Sequence, residues 1–201
     1  MNELTKPARV AKAGEKHEMQ NRLKTLEDVP AIYRDYPDFD SLTIDPAHGS
    51  VPEPKTIREA MSAVEAVMNG TLKAPLSRPK EGYIDFYDGE GRPIDVKTPL
   101  SPSKRDKWEF SYVQSADKIL EQLEKTEANP KTGRQEPVIV LLDSTYMTQE
   151  DHTALWRELR RRTKEDRSIL NGITEVCVRP DLPTRTMQQT LIRNRLGGKA
   201  R

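Results

Sequence analysis

The feature that most constrains this chain is a hairpin signature between residues 83 and 97. Tyr83-Ile84-Asp85-Phe86-Tyr87 has the aromatic and β-branched content of a strand. Asp88-Gly89-Glu90-Gly91 is a strong turn signal, and Ile94-Asp95-Val96-Lys97 reads as the return strand. Side chains alternate faces along a strand, so Asp95 and Lys97 share one face and Ile94 and Val96 the other. With the turn centred near Gly89 and Glu90, Asp85 stands opposite them on the partner strand.

The flanking sequence supplies elements to build around this hairpin. A helix is predicted over residues 56–69, with Thr56 as N-cap and Glu59 three residues later in a capping-box arrangement. Ile57, Met61, Val64 and Met68 share its apolar face, and Gly70 terminates it. Further helices are predicted over 111–125 and 150–164, the latter capped by Thr148. Strands are predicted over 137–143 and 173–178, with a polar loop over 129–136. The order helix, strand, strand, helix, strand, helix, strand implies an α/β (α+β) sandwich, a small mixed sheet flanked by helices. Residues 56–180 suffice for it, leaving 1–55 as a weakly ordered lead-in and linker and 181–201 as a basic C-terminal tail.

Composition narrows the function classes. Charged residues make up 32% of the chain and hydrophobic residues 34%, which allows one modest core rather than two. No apolar run approaches the roughly 18 residues needed to span a bilayer, and no signal peptide is visible at the N-terminus. A single cysteine, Cys177, excludes an internal disulfide and is expected to be a small buried hydrophobe. The net charge of +1 is polarised. Residues 157–201 hold twelve Lys/Arg against five Asp/Glu, a surplus of seven, so the rest of the chain carries −6. Such asymmetry suits a polyanion-facing end.

The hairpin residues have the chemistry of phosphodiester hydrolysis. Asp85 and Asp95 offer hard oxygen ligands to a divalent ion such as Mg2+ (or Mn2+), which polarises a phosphate and activates water. Lys97 contacts the water or the phosphate and offsets the charge that develops there. On the preceding helix, Glu59 is the first candidate for a further acid and Glu65 its rival, because Glu65 borders the apolar face on a helical wheel. Gln114 and Lys118, at i and i+4 on the second helix, are candidates for positioning a phosphate. Lys104 and Arg105, beside Trp108 and Phe110, offer a basic patch with aromatics for unpaired bases. Arg160 and Arg161 belong to the densest basic cluster, suited to phosphate contact without sequence preference.

Asp85, nine intervening residues and then Asp95-Val96-Lys97 resemble the PD-(D/E)xK nuclease superfamily. The order of elements, Arg58-Glu59 on the preceding helix, the exit Lys97-Thr98-Pro99 and the strand Val138-Ile139-Val140-Leu141-Leu142-Asp143 are similar to its toxin branch. That branch comprises the C-terminal nuclease domains of contact-dependent growth inhibition and other polymorphic toxins. Two departures are visible: no proline precedes Asp85, and Asp95 stands where glutamate is commoner. The resemblance implies a restriction-endonuclease-like sandwich with Glu59, Asp85, Asp95 and Lys97 as catalytic residues, Asp85 and Asp95 binding metal. It further implies cleavage of RNA (tRNA is typical of the branch) or DNA, delivery into a target cell's cytoplasm, and a cognate immunity protein as partner. The alternatives are a stand-alone phage or plasmid DNA endonuclease, or a non-catalytic nucleic-acid-binding protein of the same fold.

Overall fold

In the computed structural model of the chain, the described residues are 23–46, 49, 51–80, 83–103 and 106–197. Two four-residue helices, α1 (Ala31–Arg34) and α2 (Phe39–Leu42), precede the long helix α3 (Pro54–Met68). Strands β1 (Phe86–Tyr87) and β2 (Pro93–Lys97) follow, then α4 (Tyr112–Leu123), β3 (Thr126–Ala128), β4 (Gln135–Pro137), β5 (Ile139–Asp143), α5 (Gln149–Arg162), β6 (Ile173–Val176) and α6 (Arg185–Gly197). The main sheet has the order β1-β2-β5-β6. Its hairpin pair is antiparallel and the other two pairs are parallel, so the sheet is mixed. The α/β sandwich expected from the element order is the architecture observed. No helix among the described residues is long and apolar enough to cross a membrane.

Strand alternation distributes the core. Ile94 and Val96 of β2, with Leu141 of β5, join Ile57, Met61 and Val64 of α3 in the larger apolar cluster. Val140 and Leu142 turn to the other face and pack with Ala116 and Ile119 of α4 and Leu155 and Leu159 of α5. Asp95 is in register with Val140 and Lys97 with Leu142, which puts both on the α4 side of the sheet. The shared face expected for Asp95 and Lys97 is the one they have.

Several boundaries differ from expectation, each for a local reason. Helix α3 starts two residues earlier than predicted: Glu53 is its N-cap and Pro54 its first residue, where a missing N–H costs nothing. Thr56 is therefore the third helical residue, its Oγ1 accepting the Glu53 N–H at 3.0 Å. Glu59 is one turn further in and does not cap. The expected polar loop is observed over 129–134, but it connects the strands of a second, two-stranded sheet (β3–β4), and residues 135–136 belong to β4. Its hub is the buried Asn129, whose Nδ2 donates to Glu90 O at 3.0 Å and Glu136 Oε1 at 2.8 Å. Cys177, expected inside, is exposed.

The largest difference lies in the lead-in. Leu23, Val29, Tyr33, Phe39 and Leu42 are all buried in the larger cluster. The far end of the chain meets this segment, with the Ala31 N–H donating to Pro183 O at 3.0 Å and Arg185 Nε to Asp35 Oδ1 at 2.7 Å. Residues 23–46 are part of the fold, and much of the expected basic tail is helix α6.

Candidate functional site

A cavity of about 500 Å³ opens where β1 begins and β2 ends, walled by the start of α3 on one side and by α4 on the other. Glu59, Asp85, Asp95 and Lys97 all line it. The structure thus brings together the four residues that the sequence singled out from three separate elements.

Asp85 owes its place to the way the chain enters β1. Its N–H still donates to Ile94 O at 2.9 Å, but its side-chain Oδ2 accepts the Val96 N–H at 2.7 Å. The carboxylate thereby takes a ladder donor that a continuing strand would have paired. The expected strand over 83–87 is for this reason paired only over Phe86–Tyr87. Burial pushes the Asp85 carboxyl up, the neighbouring Glu59 charge pushes it further, and the Val96 N–H pulls it back, leaving it at about 7.

Asp95 is buried, its side chain 6% exposed. Lys97 Nζ stands 2.6 Å from Asp95 Oδ2, a close ion pair on the buried carboxylate. Burial pushes the Asp95 carboxyl up, against the pull of Lys97. On the α4 wall, the buried Gln122 Oε1 accepts no hydrogen bond. Lys118 also lines the cavity and makes no ion pair among the described residues.

Position separates the two helix acids. Glu59 is 1% exposed and pairs with Arg78 at 3.1 Å and with Lys55 at 3.2 Å, inside the cavity. Burial works against the Lys55 charge, but Glu59 beside it, with Asp85 and Asp45, holds Lys55 above its ordinary value. Glu65 is not a cavity residue. It accepts the Tyr33 hydroxyl at 2.6 Å and the Arg179 guanidinium at 3.1 Å, tying the lead-in to the chain beyond β6.

The nucleic-acid candidates divide. Lys118 faces the cavity as expected, whereas Gln114 does not line it; the residues one turn to either side of Lys118, Ser115 and Gln122, do. Arg160 and Arg161 are elsewhere, on α5. Arg161 is held by Glu158 at 2.8 and 2.7 Å, and Arg160 lies over the Trp156 ring. Lys104 and Arg105 lie outside the described residues. Nearby, Trp108 is half exposed and Phe110 packs on the smaller cluster. Arg78 and Asp45, both lining the cavity, had no sequence signal. They sit in irregular chain, where no period fixes a face.

Among the described residues no three acidic, histidine or cysteine side chains converge as a ready-made metal cage. Glu59 is bound to Arg78 and Lys55, and Asp95 to Lys97; Asp85 and Asp95 are the cavity carboxylates that could offer hard oxygens to a divalent cation of the Mg2+ type. No family profile, curated protein or solved structure matches the chain.

Proposed function

We propose that the chain is a metal-dependent nuclease that hydrolyses phosphodiester bonds in the cavity at the start of β1 and the end of β2. One observation carries the reading: Asp85, Asp95, Lys97 and Glu59 converge from separate elements on one cavity. Asp95 is buried there with Lys97 at 2.6 Å, and Asp85 is pushed up to about 7 by burial and by the Glu59 charge, an acidic pair whose charge a bound cation would offset.

Asp85 and Asp95 would hold Mg2+ or Mn2+, which when bound supplies Lewis-acid polarisation of the phosphate. Lys97, at the exposed end of β2, donates to a non-bridging phosphate oxygen. Water adds to phosphorus and loses a proton, the bond to the leaving oxygen breaks, and that oxygen gains a proton. The products are a phosphate monoester and a free hydroxyl. Lys97 offsets the charge that builds on phosphorus-bound oxygens during this step. Lys118, unpaired on the opposite wall, holds a phosphate of the same strand. Glu59 completes the acidic wall through Lys55 and Arg78.

The test is cleavage of tRNA, plasmid and single-stranded DNA by the purified chain, with Mg2+ and with EDTA. Cleavage is expected with Mg2+ only, and to be lost in Lys97→Ala and Asp95→Ala. Cleavage that persists in EDTA or in either variant overturns the reading. The delivered-toxin setting, an RNA target and an acidic immunity partner rest on the sequence resemblance and are proposed on that footing. Their check is whether the product of an adjacent gene binds the chain and stops cleavage.

A further inference from the structure

We infer that the cavity takes one unpaired nucleotide, with its base against the Tyr83 ring and its edge read by the Gln122 amide. The substrate is then a single strand or a looped-out base, not an intact duplex. The inference deepens the nuclease reading and rests on it for the phosphate chemistry. Among the described residues, Tyr83 is the one aromatic that lines the cavity, and it is 44% exposed. Its ring is fixed beside the end of α4: the hydroxyl donates to Thr126 O, and Lys125 Nζ lies 5.0 Å from the ring centroid. A ring held in this way offers a stacking surface to any base, because every base has a π-face.

Gln122 lies in the last turn of α4, at the same end of the cavity. Its amide makes no hydrogen bond at either end among the described residues, and its Oε1 is buried. A buried acceptor without a donor is costly, and the terminal torsion of glutamine is soft, so a donor in the cavity draws the amide round. The amide then presents one acceptor beside one donor. The Watson–Crick edge of an unpaired base offers the complement, whereas in a duplex that edge is already bonded. The rest of the cavity fits the same occupant. Its volume of about 500 Å³ is that of a pocket enclosing one small ligand. Lys118, one turn before Gln122, lines it without an ion pair among the described residues and can hold the phosphate. Asp95 is recessed between the α3 and α4 walls, its side chain 6% exposed, so a phosphate meets it only on a strand that enters. A single strand can enter, and a duplex is held off by its complement.

The experiment is fluorescence anisotropy of the full chain with labelled oligonucleotides in EDTA: single-stranded RNA, single-stranded DNA and the duplex of each. Five Lys and Arg side chains against four Asp and Glu line the cavity, so a strand can bind without the metal. At least one single strand is expected to bind about tenfold or more tightly than its duplex, and the RNA and DNA arms tell which sugar is preferred. Tyr83→Leu and Gln122→Leu should each lower single-strand affinity about tenfold, and lower it more than duplex affinity. Tyr83→Phe, which keeps the ring, should lose less than Tyr83→Leu. Duplexes that bind as tightly as both single strands overturn the inference. So do leucine variants whose losses are absent, or equal for single strand and duplex. The wild-type comparison needs no substitution, so it can overturn the inference even where a variant does not fold. Failure of the nuclease reading looks different: the same single-strand preference, with no cleavage in Mg2+. Cleavage without that preference keeps the nuclease reading and overturns this inference, and a chain that binds none of these nucleic acids overturns both.

Discussion

Helix α3 carries two acid–arginine pairs six residues apart, and they have opposite characters. Glu65 meets Arg179 and the Tyr33 hydroxyl in a cluster where every polar partner is matched: the Tyr33 oxygen donates to Glu65 and accepts the Arg179 N–H at 2.7 Å. Glu59 meets Arg78 at the wall of a cavity in which the buried Gln122 Oε1 accepts no hydrogen bond. A buried ion pair is thus a poor marker of a site by itself. What separates the two regions is whether the surrounding polar groups are satisfied, because a fully paired network stabilises and specifies, whereas an incomplete one waits for a ligand.

The widest separation is expected in catalysis. Asp95→Ala or Lys97→Ala should reduce cleavage by on the order of a thousandfold or more, while Glu65→Gln, assayed at low temperature, should cleave at close to the wild-type rate. Equal losses in the two regions would erase the distinction. Stability should show the reverse order. Glu65→Ala leaves Arg179 without its carboxylate and Tyr33 without its acceptor, and should cost about 2–4 kcal/mol in urea denaturation. A loss below 1 kcal/mol would mean that this cluster is not the clasp between lead-in and core.

The third contrast is in pH dependence. With its folded value raised to about 7, the Asp85 carboxyl favours the fold while protonated. That contribution is complete below the unfolded value near 4 and is lost as pH rises through about 7. In EDTA, Asp85→Asn should therefore gain stability over the wild type as pH rises from 4 to 8, by up to a few kcal/mol. A difference that stays flat across this window in thermal melts would contradict the charge arrangement described for the cavity. The smallest effect belongs to Tyr33→Phe, which removes one hydroxyl between Glu65 and Arg179 and should cost about 1–2 kcal/mol in the same urea assay, with cleavage unchanged.

The halves of the cavity also differ in how far the sequence revealed them. Asp95 and Lys97 could be placed on a shared face because a strand has a period of two, and the turn glycines fixed where the hairpin reverses. Glu59 was harder. On a helical wheel it points away from the apolar stripe, yet Arg78 and Asp85, remote in sequence, cover it at the helix start. Arg78 and Asp45 carried no local pattern at all, since irregular chain has no period to read. Helices α1 and α2 escaped for a related reason: four residues are barely one turn, too few to display an amphipathic repeat, and their burial comes from Tyr33, Phe39 and Leu42 packing on α3. The basic residues of α5 show the same limit from another side, because a run of arginines says nothing about Glu158, which binds two of them.

The bond from the Val96 N–H to Asp85 has a mechanical consequence. It fastens one half of the acidic pair to the backbone of the strand that carries the other half. The spacing of the two carboxylates is then set by a single stretch of β2 and one 2.7 Å contact, independent of how the helices settle around them. Breathing of α3 or α4 would widen or narrow the walls that meet a phosphate strand, while the two acids move as one rigid jaw. Substituting Asp85 by alanine would loosen the jaw as well as remove a ligand. Asparagine, which can still accept the Val96 N–H, would change the charge and leave the gauge of the jaw intact.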